Sequence, residues 1–183
     1  MQRSVFFLLL LPSLLFGQVH SVTVWWSPGH CNQKCGVVLV ERFKRAKEIA
    51  DANVNLASGE AKLVWKEKRR FSYRPIKRIM QAAGVGVNRI EVKVSGTLQE
   101  KKNRMYLISS GDKTRFLLMA PAPVRERRYA TTVDPRVYPI DANLKQKLLR
   151  FGSDADVMLS GPLYRPSRAG DPTLIVDGVG LAR

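Results

Sequence analysis

The first half of the chain changes its hydrophobic period several times, and these changes predict six elements of secondary structure. Val22 to Trp26 is β-branched and aromatic throughout, which predicts a strand. Apolar residues then recur at helical spacing, which predicts an amphipathic helix with a basic opposite face. Alternating segments, a hairpin turn and a second amphipathic stretch follow. In chain order the six elements cover residues 22–26, 35–48, 52–56, 61–65, 75–83 and 90–94.

The order of these elements is strand, helix, strand, strand, helix, strand. This is the split βαβ arrangement, in which a four-stranded antiparallel sheet carries both helices on one face. Pro75 suits the first turn of the second helix, and Gly84 suits its C-terminal stop. We therefore predict an α+β fold that begins with a ferredoxin-like βαββαβ domain at residues 22–95.

The second half of the chain predicts a small β-barrel. The fourth strand continues through Leu98, and the later strands are interrupted by one short helix. These later elements cover residues 105–108, 114–119, 144–149 (the helix), 156–164 and 173–179. Five strands with a helix before the fourth resemble an OB-fold, a closed Greek-key barrel. The similar segments VSGTL and LSGPL suit equivalent barrel edges, and we predict an OB-like barrel domain at residues 96–183.

The two cysteines of the chain, Cys31 and Cys35, lie between the first strand and the first helix. A thiol in the first turn of a helix faces unpaired backbone N–H groups, which stabilise its thiolate. Two soft sulfurs on one loop are therefore a candidate metal or redox site. In an oxidising compartment, however, close cysteines also form disulfides.

The N-terminal segment and the net charge indicate where the protein works. Arg3 precedes an apolar run from Val5 to Phe16, and Gly17 or Ser21 offers a small residue for cleavage. We predict a signal peptide at residues 1–21, a secreted or periplasmic mature protein, and no transmembrane span after cleavage. The net charge of +16 favours an acidic protein partner or an anionic surface. Export argues against nucleic acid.

Residues 22–95 resemble a heavy-metal-associated domain, the module of copper chaperones and mercuric-ion carriers. The matching positions are the two cysteines, apolar residues of the elements, the hairpin glycine, the WKEK after the third strand and the AAG that ends the second helix. In this sequence they are Cys31, Cys35, Leu39, Phe43, Ile49, Val54, Leu56, Gly59, Trp65–Lys68, Ile76 and Ala82–Gly84. The resemblance implies a soft metal ion bound by Cys31 and Cys35.

Two features depart from that family. Three residues separate the cysteines instead of two, and Gly29 stands where the family carries a methionine. His30 adjoins Cys31, and an added imidazole would shift the preference toward zinc or cupric ion. The candidate metal ligands are therefore Cys31, Cys35 and His30, and the candidate ions are Cu(I) and zinc.

The predicted barrel offers a different kind of binding surface. OB-folds bind polymers through basic grooves and stacked aromatic rings. The candidates are Tyr106, Phe116, Tyr129 and Tyr164, with Lys101, Lys102, Arg104 and Arg115. The sequence alone does not place these aromatic residues on one face, so core packing is the competing interpretation.

No catalytic set is recognisable, and we expect no enzyme activity. The carboxylates show no paired spacing, and His30 is too close to the cysteines in sequence to act as a partner base. His20 falls within the predicted signal peptide.

Two functions remain. The first is an exported protein that carries or sequesters a soft metal ion on the Cys-x3-Cys loop. The alternative is a binding module without metal that presents a basic surface to an anionic polymer or protein, with the cysteines in a disulfide.

Overall fold

A computed structural model describes residues 19–121, 139–152 and 155–182. These residues form an α+β structure with a five-stranded β-barrel, further strands and three helices. The first unit contains β1 (Val19–Trp25), α1 (Gln33–Arg45), β2 (Ile49–Asn55), β3 (Glu60–Trp65), α2 (Arg74–Ala82) and β4 (Arg89–Lys101). The second adds β5 (Arg104–Ser109), β6 (Arg115–Met119), α3 (Ala142–Leu149), β7 (Val157–Tyr164), β8 (Thr173–Ile175) and β9 (Gly178–Leu181).

The first four strands form an antiparallel sheet in the order β2-β3-β1-β4. Val22 and Val24 of β1 are fully buried, and they alternate with the half-buried Thr23 and Trp25. Helix α1 buries Leu39 and Phe43, which lie one turn apart and therefore face the same side. The element order and the alternation predicted from the sequence are confirmed here.

Strand β4 belongs to both units. Its first half pairs with β1, and its second half, from Gly96 to Lys101, pairs with β5. Residues 91–96 of β4 also pair with β7, and this pairing closes the barrel in the order β4-β5-β6-β8-β7. Strands β6 and β8 are parallel, whereas the other neighbours in the barrel are antiparallel. The predicted boundary at residues 95 and 96 therefore lies inside one continuous strand.

Phe71 joins the two units through the core. It is 5% exposed, and its ring lies 5.0 Å from that of Trp65 and 5.7 Å from that of Phe116. The N–H of Phe71 donates to Asp112 Oδ2 at 2.7 Å and to Thr114 Oγ1 at 2.9 Å. The segment between β3 and α2 is therefore fixed against the turn between β5 and β6.

Two glycines permit close approach of neighbouring strands in the barrel. A Cβ atom on Gly96 would lie 2.1 Å from the carbonyl oxygen of Ile108. One on Gly161, whose φ is +155°, would lie 1.9 Å from the carbonyl oxygen of Ile175. These are the glycines of VSGTL and LSGPL, so the two similar segments do mark places where barrel strands are in contact.

Two details differ from the predicted elements. Strand β1 begins at Val19, which is buried and pairs with Val94, so it includes three residues assigned to the signal peptide. The rest of that peptide, residues 1–18, lies outside the described part of the chain. The last predicted strand is two strands, β8 and β9, because Val176 and Asp177 interrupt the pairing with β7.

Candidate functional site

The cysteine loop begins after a short 3-10 turn at Pro28–His30 and ends in the first turn of α1. Cys31 and Cys35 form a disulfide, with an S–S distance of 2.03 Å. Asn32 is the N-cap of α1, and its side-chain Oδ1 accepts from the N–H of Cys35 at 3.0 Å. Cys31 is 6% exposed and packs in the core, whereas Cys35 is half-buried. The loop is therefore a closed, capped structure.

The disulfide determines which ligands this loop offers. Soft metal ions are bound by thiolates, and a sulfur in a disulfide is not a thiolate. His30 is exposed in the preceding turn. Within the described part of the chain, no three His, Cys, Asp or Glu side chains are grouped closely enough to hold a metal ion. The loop offers two thiolates to an ion only after reduction.

A cavity lies on the barrel, between the β4–β5 hairpin, the outer side of β6 and the loop that follows β7. Its volume is about 770 Å³. Leu117 and Ile140 supply apolar walls, while charged and polar side chains surround them. A second cavity of about 320 Å³ adjoins it along β5. We call the lining of this second cavity the barrel site; its residues are Lys101, Lys102, Arg104, Tyr106 and Arg115.

Alternation along β5 and β6 places the barrel site on the outer face of the barrel. Met105 and Leu107 point into the core, so Arg104 and Tyr106 point outward. Arg115 stands outward on β6, diagonally across from Tyr106, with its guanidinium carbon 5.1 Å from the centre of the tyrosine ring. The guanidinium of Arg115 therefore lies over the ring of Tyr106, in a cation–π contact.

Arg115 is held in place by Asp171. Its Nε and Nη2 atoms donate to Asp171 Oδ2, at 2.8 and 2.6 Å respectively. This hydrogen bond and the attraction of the carboxylate raise the pKa of Arg115 above its ordinary value. Lys145 of α3 is similarly paired with Glu100, at 2.7 Å. These two pairs use both carboxylates that line the cavities.

The remaining cations around the cavities have no acidic partner in the described part of the chain. Among the residues that the structure describes, Lys101, Lys102, Arg104 and Arg168 form no ion pair within 4.0 Å. All four are exposed. The barrel face consequently carries uncompensated positive charge beside an aromatic ring and apolar walls.

Of the four aromatic candidates on the barrel, Tyr106 is the one that the structure brings to the cationic face. Phe116 is fully buried, and Tyr164 is 5% exposed. Tyr129 lies outside the described residues. The strict alternation of Arg104, Tyr106 and Ile108 was the sequence signal that could have separated Tyr106 from the others.

His20 makes a part-buried polar contact that was not predicted, because His20 falls within the predicted signal peptide. His20 lies in β1, and its Nε2 is 2.8 Å from Oγ of the fully buried Ser95. Burial, and secondarily the nearby Lys93, lower the pKa of His20, while Asp156 opposes this effect. His20 therefore favours its neutral form in the folded protein.

Comparison of the chain with protein-family models, curated proteins and solved structures finds no match in any of the three. Among the described residues, no helix has both the length and the apolar character needed to cross a bilayer.

Proposed function

We propose that this protein is an exported binding module that holds an anionic polymer on the barrel site, with Cys31 and Cys35 in a disulfide. The observation that supports this most directly is the cluster of Lys101, Lys102 and Arg104 beside Tyr106, cations that form no ion pair with any described residue. Exposed cations without acidic neighbours attract polyanions and release counterions on binding. The adjoining apolar walls give the polymer a surface to pack against.

The architecture supports the same proposal. We assign the second unit to the OB-fold class, because its five strands close in the order β4-β5-β6-β8-β7 with α3 before the fourth strand. OB-folds bind polymers on the face of their second and third strands, which here are β5 and β6. We assign the first unit to the ferredoxin-like class from its element order and its sheet order.

The test is a salt titration of binding, measured with phosphate-, sulfate- and carboxylate-bearing polymers. We expect affinity to fall steeply with salt. Arg104→Glu should weaken binding and reduce the slope of log affinity against log salt by about 1 or more, because a contact with the polymer is lost. The control is Lys34→Glu, which reverses an equally exposed charge at the first turn of α1. Salt-insensitive binding, or equal losses in both variants, would refute the proposal.

Metal carriage is the second candidate, and one observation favours it. The fold brings both sulfurs to one loop at the start of α1, so reduction would leave two thiols close together there. We propose that any soft-metal binding belongs to this reduced form, with Cu(I) or zinc as the cargo. One metal per chain in reduced protein, lost after oxidation and absent in Cys35→Ser, is the expected result. Metal bound equally by oxidised protein would contradict it.

A further inference from the structure

A second group of cations lies in the first unit, between β3 and the middle of α2. Residues 66–70 read KEKRR, and we call them the basic loop. Helix α2 adds Arg74, Lys77 and Arg78 on its exposed side, since Ile76 and Met80 take the buried side. All seven cations are exposed, and within the described residues none of them forms an ion pair. Glu67 is the single acid in the stretch.

The fold holds the basic loop in one place although its charges repel each other. The indole N–H of Trp65 donates to the carbonyl of Arg69 at 2.9 Å, and the N–H of Arg69 donates to the carbonyl of Lys66 at 3.3 Å. The N–H of Lys66 donates to the carbonyl of Glu48 at 2.8 Å. Phe71 then anchors the end of the loop in the core. These contacts fix the positions of the cations before any partner arrives.

The same anchor brings the basic loop to the barrel. Asp112 accepts from the N–H of Phe71, and Lys113 follows Asp112 at the tip of the β5–β6 turn. From Lys113 the outer face of β5 and β6 leads into the barrel site, through Arg115 and Tyr106 to Arg104 at the other end of β5. Strand β5 has six residues and is therefore about 20 Å long. Cations thus lie at both ends of β5 and between them.

The backbone conformation of the turns gives a second observation about these cations. Among the described residues, five non-glycine residues have positive φ, and four of them are basic: Lys68, Lys102, Lys113 and Arg165. Glycine or asparagine occupies such turn positions with less strain. Lys68 and Lys113 lie at the basic loop and the β5–β6 turn, and Lys102 lies in the barrel site. Lysine therefore occupies these turns, although glycine would adopt their backbone conformation with less strain.

We infer that the partner is a linear polyanion that runs from the barrel site along β5 to Lys113 and on to the basic loop. This inference rests on the proposed function and specifies the length and path of its ligand. A linear chain suits the arrangement because the cations follow one strand and part of the path is a groove. A flat lipid surface cannot enter that groove. The basic loop exposes no aromatic ring for base stacking, so recognition is of backbone charge.

The experiment measures binding of inorganic polyphosphate in two lengths, one no longer than β5 and one at least twice as long. We expect the long chain to bind more tightly than the short chain. The difference should exceed what the additional charge would contribute if the long chain contacted the barrel site alone. Lys68→Gly should weaken binding of the long chain about fivefold, and the short chain should be unaffected. The control Lys34→Ala removes an equally exposed charge near the opposite end of β3 and should change neither affinity.

Two further measurements separate the possible failures. Lys68→Gly should melt no lower than the wild type, because glycine adopts the left-handed conformation readily, so weaker binding cannot be attributed to unfolding. If the wild type binds neither length, the proposed function itself fails. If it binds both lengths equally and Lys68→Gly changes nothing, the barrel site stands and the extended path is wrong. Tighter binding to anionic phospholipid vesicles, also weakened by Lys68→Gly, would overturn the polymer in favour of a membrane.

Discussion

The close approach of β4 and β5 at Gly96 makes a quantitative prediction about stability. Gly96 lies opposite Ser109 in the strand pairing, where β4 passes from the first sheet into the barrel. A Cβ atom added there would meet the carbonyl oxygen of Ile108 at 2.1 Å and its carbonyl carbon at 2.7 Å. Both atoms belong to the backbone, so no side-chain rotation can relieve the contact in Gly96→Ala.

The size of the effect follows from these distances. Contacts of a Cβ atom below 3.0 Å are essentially never observed, so the two strands must separate by nearly 1 Å. Overpacking of this kind costs about 3 kcal/mol. For a chain of this length, that loss lowers the melting temperature by about 6–12 °C. Binding of the proposed polymer should fall as well, because β5 carries Arg104 and Tyr106.

Gly180→Ala is the matched control. Gly180 also lies in a strand, but nothing lies within 4 Å of its added Cβ atom, and its φ is not in the left-handed region. We expect the melting temperature to be unchanged or slightly higher. If stability rises, the free energy of unfolding should increase by about 0.4–1 kcal/mol. Thermal unfolding followed by circular dichroism measures both variants. If Gly96→Ala melts within a degree or two of the wild type, the described β4–β5 approach is incorrect.

Two more predictions concern buried groups. Because the pKa of His20 is lowered below its ordinary 6.5, the unfolded chain takes up the proton first, so stability should fall as the pH drops below 6.5; His20→Gln should reduce this loss. A loss as large in His20→Gln as in the wild type would contradict this. Phe71→Ala should cost about 3–5 kcal/mol in urea unfolding, and Phe71→Leu clearly less; equal stability of both variants would refute the described joint.

Local patterns in the sequence were enough to predict most of the secondary structure. The period changes predicted α1, β3, α2 and β7 to within a few residues, because one face of each element is buried and its apolar residues follow the period of the backbone. Pro75 does lie in the first turn of α2, and Gly84, with φ +73°, does end it. These signals depend on residues that are close in sequence, so they can be recognised without knowledge of the fold.

Contacts between distant parts of the chain could not be predicted in this way. Nothing near Phe71 indicates that its N–H meets Asp112, and nothing near Arg115 indicates its pairing with Asp171. The barrel site depends on such contacts, because its positive charge can be judged only when the acidic partners of each cation are known. The contact of His20 with Ser95 was not predicted because His20 falls within the predicted signal peptide, whose apolar run ends at Phe16. The choice between disulfide and free thiols likewise depends on geometry.

Because β4 belongs to both units, one of its edges lacks a partner while the rest of the chain is being synthesised. By Lys101 every strand of the first sheet exists, yet residues 91–96 of β4 still lack the partner that β7 supplies near the end of the chain. Until β7 emerges, that edge offers unpaired N–H and carbonyl groups, which are a template for pairing with another molecule. A chain whose synthesis stops between β4 and β7 is therefore prone to aggregate, and its last strands protect its first sheet.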